Sequence, residues 1–210
     1  MKIIFLGAPG AGKGTQAEKV SARLGIPTIS TGAIIRAAIK DGTEMGREAK
    51  KFIEAGALVP DNIVIEIVKE RLSKSDCDKG YILDGFPRSV PQAQALDDMG
   101  VHLDKVISLE VSDEDIIVRM SGRRVCPECG KTYHVIHLRS SVGGKCESCG
   151  TKLSVRADDA PDVVRSRLEV YHSTTEPLKD FYREKGVLCT VNGAASVEET
   201  TKRTLEALEI

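Results

Sequence analysis

Nine residues near the N-terminus, Gly7-Ala8-Pro9-Gly10-Ala11-Gly12-Lys13-Gly14-Thr15, constrain this chain more than any other feature. An apolar run, residues 2–6, precedes them and reads as a buried strand. A helix follows, with Ala17, Val20 and Leu24 on one face and Gly25 and Pro27 at its end. A glycine-rich turn in this context lets successive backbone N–H groups curl around a phosphate. The helix N-terminus adds about half a positive charge. Lys13 brings a full charge to β- and γ-phosphates, and Thr15 offers a hydroxyl near a Mg²⁺ ion. Gly14 follows Lys13, so that hydroxyl stands one place late. A turn with a chance lysine is the bland alternative, and the flanking strand and helix argue against it.

The rest of the chain continues a strand–helix alternation. From Ile29 to Val59 the pattern predicts two short helices and no strand, which suggests an inserted helical flap. Pro60-Asp61 opens a helix to about Ser73. Tyr81-Ile82-Leu83 is a second buried strand, ending at Asp84-Gly85, and a helix follows Pro91. Val106 to Val111 is a third strand, with a helix from Asp113 to Ser121. Gly122 to Asp159 is rich in Cys, Gly and Ser and has no helical period, so it reads as a separate small insert. Pro161 opens a helix that is kinked or broken near Pro177. Val187 to Val191 is a further strand, and Ser196 to Leu208 a last amphipathic helix. The expected fold class is α/β, a doubly wound parallel sheet with two inserts.

Three more constellations carry chemistry. Asp84, at the C-terminal end of a buried strand, faces the crevice where such sheets bind ligands, and Arg88 follows within reach of a phosphate. Asp84 can hold Mg²⁺ waters; as a bland alternative it caps a helix beside a surface arginine. Cys126-x-x-Cys129 and Cys146-x-x-Cys149, sixteen residues apart, form a four-thiolate zinc signature. Four cysteines leave no open coordination position, so such a zinc is structural. A redox dithiol pair is the alternative. His134 and His137 lie in the same insert but are not needed as ligands, and Cys77 and Cys189 read as packing residues. Finally, Arg36, Arg88, Arg119, Arg123, Arg156 and Arg167 are each unremarkable alone. Together they suggest a cage for the spread charge of a transferring phosphoryl group.

Composition excludes several classes. Thirty Lys and Arg against 31 Asp and Glu give a net charge of −1, and there are only eight Phe and Tyr and no Trp. A general nucleic-acid coat would be strongly basic. The cysteine insert itself carries seven basic and four acidic residues; four thiolates with Zn²⁺ leave it near +1, too little for a basic finger. No run approaches the ~20 apolar residues of a membrane span. The expectation is a cytoplasmic protein with no nucleic-acid or membrane partner.

In combination, these motifs closely resemble the bacterial-type adenylate kinases with a long, zinc-bearing lid. The resemblance runs over essentially the whole chain. It is carried by the phosphate loop through Ala17, Ser30-Thr31-Gly32, Gly56 to Pro60, Leu83 to Arg88 with Gln92, Gly122-Arg123-Arg124, the four cysteines and Arg156-Ala157-Asp158-Asp159. It implies a P-loop core at residues 1–29, 60–121 and 160–210, an AMP-binding insert at 30–59 and a zinc-bearing lid at 122–159. It implies reversible, Mg²⁺-dependent transfer from ATP to AMP giving two ADP. On the ATP side it places Gly10, Ala11, Gly12, Lys13, Gly14 and Thr15, with Arg119, Arg123, Thr132, Tyr133 and the backbone at Ala195. On the AMP side it places Thr31, Arg36, the backbone at Ala57, Leu58 and Val59, then Gly85, Phe86, Pro87, Arg88 and Gln92. The Gln92 amide suits adenine because it both donates and accepts. Arg156 and Arg167 clamp the phosphates between the nucleotides. Lys13, Asp84, Arg88, Arg123, Arg156 and Arg167 are the expected catalytic set, and Cys126, Cys129, Cys146 and Cys149 the structural Zn²⁺ ligands. A mobile lid and flap suit a monomer.

Two residues depart from the family pattern. Ala33 stands where an Asp is usual, which removes an acceptor near Arg36. Cys149 stands where many relatives have Asp. The same chemistry with another donor or acceptor, such as GTP:AMP transfer, is the runner-up. A regulatory P-loop GTPase lacks support because no Asn-Lys-x-Asp motif is present, and a zinc-ribbon nucleic-acid binder conflicts with the charge.

Overall fold

A computed structural model describes all of residues 1–210. Its centre is a five-stranded sheet made of β1 (Lys2–Leu6), β2 (Thr28–Ser30), β3 (Tyr81–Asp84), β4 (Lys105–Glu110) and β7 (Leu188–Asn192), in the order β2-β3-β1-β4-β7. Every pairing is parallel. Side chains alternate across a strand, and the register keeps the two sides consistent. Ile3, Phe5, Ile82 and Ile107 enter one apolar cluster, while Ile4, Leu6, Leu83 and Val106 enter the other. Burial on both faces is the reason these strands read as near-continuous apolar runs.

The helices α1 (Lys13–Leu24), α4 (Asp61–Leu72), α5 (Val90–Asp98), α6 (Asp113–Gly122), α7 (Pro161–Val170), α8 (Leu178–Glu184) and α9 (Val197–Ala207) complete the main body. Between β2 and α4, the helices α2 (Thr31–Lys40) and α3 (Glu44–Glu54) pack together as a hairpin. The short strands β5 (Arg123–Val125) and β6 (Thr132–His134) pair as a separate antiparallel sheet that starts the cysteine-bearing insert. No helix is long and apolar enough to cross a membrane.

The expected doubly wound sheet is present, and one expectation is corrected. The stretch after α1 does contain a strand, β2, hydrogen-bonded to β3 at the sheet edge. Only Ile29 of its three residues is apolar and fully buried, so no period-2 signal was there to read. The break near Pro177 is a wide turn of π type at Tyr171–Thr175, followed by α8.

The strand order places chain connections on opposite sides of β1: β3 lies to one side and β4 to the other. The crevice above the C-terminal ends of the strands at such a switch point is where open α/β sheets bind ligands. The glycine-rich loop leaves β1 there.

Candidate functional site

A cleft of about 1490 Å³ opens over these strand ends. One wall is the loop from Gly7 to α1. Gly10 and Gly12 have φ of +87° and +100°, conformations that keep the loop curled and that side chains resist. Helix α1 has no side-chain cap and no acidic residue in its first turn, whereas α3, α5, α6 and α9 are each capped by a Ser or Thr. Its N-terminus is thereby left for an external anion.

Lys13 lies across the loop, and its Nζ donates to the carbonyls of Gly7 at 2.6 Å and Ala8 at 2.7 Å. Burial pushes its pKa down to about 7; Asp84 opposes this, and Arg88, Arg167 and Arg123 add to it. In the unfolded chain Lys13 takes up its proton at a much higher pH. The native state therefore binds fewer protons between these values. The penalty is fully present below pH 7 and is relieved as pH rises toward the ordinary lysine value. Polyphosphate beside Lys13 would reverse the shift. At pH 8, ATP binding is expected to take up close to one proton per chain. Titration calorimetry in two buffers of different ionisation enthalpy checks this, and Lys13→Met should abolish the uptake.

The opposite wall gathers the arginines. Arg123 pairs with Asp159 through a fork, with Nε to Oδ2 at 2.8 Å. Arg156 pairs with Asp158, Nε to Oδ1 at 2.9 Å. Arg167 reaches Asp158 Oδ2 at 3.0 Å and donates to the Asp158 carbonyl at 2.9 Å. The Asp159 side chain is fully buried. Burial raises the Asp158 pKa, but Arg156 and Arg167 more than offset it and leave the carboxyl at about 2. Even so, six cations (Lys13, Arg36, Arg88, Arg123, Arg156 and Arg167) face three carboxylates (Asp84, Asp158 and Asp159). Burial and mutual repulsion depress Arg36 to about 9 and Arg167 to about 10. A guanidinium does not give up its proton under such conditions; the depression measures how strongly the cleft calls for anionic charge.

Near β3 the loop after Asp84 turns through Gly85, at φ +80°. A Cβ there would meet Arg88 Nη2 at 2.9 Å and Thr31 Oγ1 at 3.3 Å. Both side chains bind the Gly85 carbonyl, Thr31 Oγ1 and Arg88 Nε each at 2.8 Å. Gln92, one turn into α5, is buried. Its Oε1 accepts from the Arg88 backbone N–H at 2.7 Å, and its Nε2 donates to Asp61 at 2.7 Å. Ala57, Leu58 and Val59 line the same end of the cleft. At the other end, Arg119 Nη2 donates to the Gly193 carbonyl at 2.8 Å, beside Ala195.

Most residues expected from the sequence thus border one cleft; Phe86 instead packs fully buried in the core beneath it. Thr132 and Tyr133 both border the cleft, and the Tyr133 ring is also packed inside the insert with Cys126 and Cys146. Its hydroxyl donates to Cys146 Sγ at 3.5 Å and accepts from the Glu147 N–H at 2.8 Å. Residues whose roles the sequence did not reveal are Asp158 and Asp159, which hold the arginines, Asp61, and Thr175, whose hydroxyl binds the Arg88 carbonyl at 2.8 Å. The one available signal is the acidic pair that follows Arg156 after a single alanine, Ala157.

The four cysteine sulfurs lie within 4.8 Å of one another, with Cys126–Cys149 and Cys129–Cys146 at 3.4 Å and Cys129–Cys149 at 3.9 Å. A tetrahedron of ~2.3 Å Zn–S bonds needs sulfurs about 3.8 Å apart, so the set fits zinc. The Tyr133 hydroxyl, then backbone N–H groups, hold the Cys146 thiol below its ordinary pKa. His134 and His137 stack on each other and are outside the cluster.

A strand-to-helix phosphate loop, a basic cleft at the sheet switch point and paired arginine forks define a P-loop phosphotransferase. A family model described as adenylate kinase matches residues 5–187. Full-length relatives called adenylate kinase are 53% identical in Caldicellulosiruptor bescii and 51% identical in Ruminiclostridium cellulolyticum, each covering 100% of both chains. One in Acetivibrio thermocellus is 50% identical over 99% of this chain and 98% of its own. The chain belongs to the adenylate kinase family. It is accordingly a nucleoside monophosphate kinase, moving a phosphoryl group between ATP and AMP.

Proposed function

We propose that the two ends of the cleft divide the two nucleotides. ATP lies along Gly10 to Thr15, with its base toward Arg119 and Ala195. AMP lies against Thr31, Arg36, residues 57–59, Arg88 and Gln92. In this reading, residues 1–29, 60–121 and 160–210 are the core, 30–59 the acceptor flap and 122–159 the lid. The observation that carries it is the convergence of Lys13 and five arginines, Arg36, Arg88, Arg123, Arg156 and Arg167, from both inserts and the core on one buried point between the two ends.

An AMP phosphate oxygen attacks the γ-phosphorus, and the bond from that phosphorus to the β,γ-bridging oxygen breaks. No protein atom becomes covalently attached. The guanidinium forks match the equatorial oxygens, and Lys13 leaves its loop carbonyls to follow the charge. Thr15 and Asp84 would hold the Mg²⁺ that comes with ATP and its waters, and the ion would supply neutralising charge at the donor phosphates. The lid keeps water from the donor. Zn²⁺ in the cysteine tetrahedron holds the lid's shape and takes no part in the transfer. A cytoplasmic monomer fits a chain whose two inserts must both move freely, with ATP, AMP and ADP as its partners.

Presenting AMP, GMP, CMP and UMP with ATP, and following ADP, tests the reading. AMP is expected to be strongly preferred, and an equal rate with all four would refute the assignment of Gln92. Arg88→Lys keeps the charge but not the fork. It is expected to lower kcat/KM for AMP about tenfold or more, roughly 1.4 kcal/mol, with the KM for ATP little changed.

A further inference from the structure

Gln92 is held by two partners of opposite character. The Arg88 backbone N–H can only donate, and it meets Oε1 at 2.7 Å. The Asp61 carboxylate can only accept, and its Oδ1 takes Nε2–H at 2.7 Å. Its other oxygen, Oδ2, accepts from Ser89 Oγ at 2.9 Å, and that same hydroxyl caps α5 by accepting the Gln92 N–H at 3.3 Å. Asp61 is the first residue of α4, separated only by Pro60 from the 57–59 segment that lines the cleft, and it does not itself line the cleft. Its bonds therefore tie the end of the flap to the Arg88 loop and fix which way round the amide sits. Reversal would set an amide N–H against the Arg88 N–H and a carbonyl oxygen against a carboxylate, at a Gln92 side chain that is itself buried.

An amide has two N–H donors and two oxygen lone pairs. One of each is spent on the protein, which leaves one of each for a base edge, in a fixed order. Purines differ in that order. A 6-amino purine presents a donor at position 6 and an acceptor at N1; a 6-oxo purine presents an acceptor at position 6 and a donor at N1. An amide that could turn over would accept both.

We propose that Asp61 is a positioning residue that sets acceptor specificity, by locking the Gln92 amide in the sense that pairs with 6-amino purines and rejects 6-oxo purines. The proposal rests on the assignment of Gln92 to the AMP end of the cleft. Asp61→Asn keeps the shape but offers an oxygen or an NH₂ to Gln92, so one of the two contacts that oppose reversal is lost and only the Arg88 N–H still resists the reversed amide. The GMP-to-AMP and IMP-to-AMP ratios of kcat/KM are expected to rise about tenfold or more, with the KM for ATP and the melting temperature near wild type. The shift must act through Gln92, so Asp61→Asn added to Gln92→Leu should leave the ratio where Gln92→Leu alone puts it. An equal loss for every acceptor, or the same ratio shift with Gln92 absent, would reduce Asp61 to a structural tie and overturn the proposal. If Gln92→Leu alone leaves AMP kinetics untouched, the acceptor-site assignment fails instead. If Asp61→Asn does not fold, the Gln92 side-chain amide in the wild-type chain decides by NMR. A slowly exchanging amide proton, held with and without AMP, supports the lock, and rapid exchange overturns it.

Discussion

Lys13→Ala is expected to turn over about 10³-fold more slowly than wild type, roughly 4 kcal/mol in transition-state stabilisation, while its melting temperature stays level or rises. The two halves of this expectation have one cause. Lys13 is buried among Arg88, Arg123 and Arg167, and in the absence of nucleotide its ammonium has only the Gly7 and Ala8 carbonyls and the more distant Asp84 to answer it. Removing it relieves that repulsion, so the fold does not suffer. The same desolvated charge is most effective when the β,γ-bridging oxygen gains negative charge during transfer, since nothing must reorganise to meet it. The loss belongs in kcat, with AMP binding spared if, as proposed, its contacts lie at the other end of the cleft. Steady-state kinetics in both directions and a thermal melt on one preparation check it. A folded variant with turnover within threefold of wild type would remove the phosphate loop from the mechanism.

How much of the fold and the site is legible in the sequence depends on the distance over which each residue acts. The phosphate loop was legible because its function is a backbone conformation, written locally as glycines between an apolar strand and a helix start. Asp84 and Arg88 were legible for a related reason: the end of a buried strand in an α/β sheet has only one place to face. The cysteines announced their grouping by spacing, and the sulfur positions agree with it. Strand β2 was hidden because it is three residues long and takes its identity from pairing with β3, which lies about 50 residues on. Tyr133 borders the cleft beside Thr132 and its ring also belongs to the knuckle core, a double placement that nothing local in a three-residue strand announces. Asp61 read only as a residue at a helix start. Its role depends on Gln92, 31 residues away, and on an amide whose own two bonds are tertiary. Asp158 and Asp159 were visible as a motif, while the arginines they hold come from three separate segments.

The second large effect is expected at the zinc knuckle. The insert's only fully buried cluster is Cys126, Tyr133 and Cys146, with Leu153 packed against it. Val135, Ile136, Leu138, Val142 and Val155 of the same insert are exposed. Its regular structure is one three-residue hairpin with a few isolated bridges. So small a core does not hold 38 residues in shape without a cross-link, and binding a metal to four thiolates supplies one, since the binding free energy becomes folding free energy. One zinc per chain is expected by metal analysis. Cys149→Ser should weaken that binding and lower the transition reporting on the lid by more than about 10 °C, some 3–5 kcal/mol for a chain of this size. That is a fraction of the ~10–16 kcal/mol that structural zinc gives to zinc-finger peptides, because most of the molecule folds without the lid. Activity in the cold should survive substantially. The arginine forks that the lid brings to the cleft, Arg123 and Arg156, are held by Asp159 and Asp158 and not by the cysteines. As temperature rises, activity should fall with the lid transition and ahead of the main one. Loss of activity at a temperature where the lid is still folded would give the metal a part in the chemistry, and four closed thiolate positions leave it no route to one.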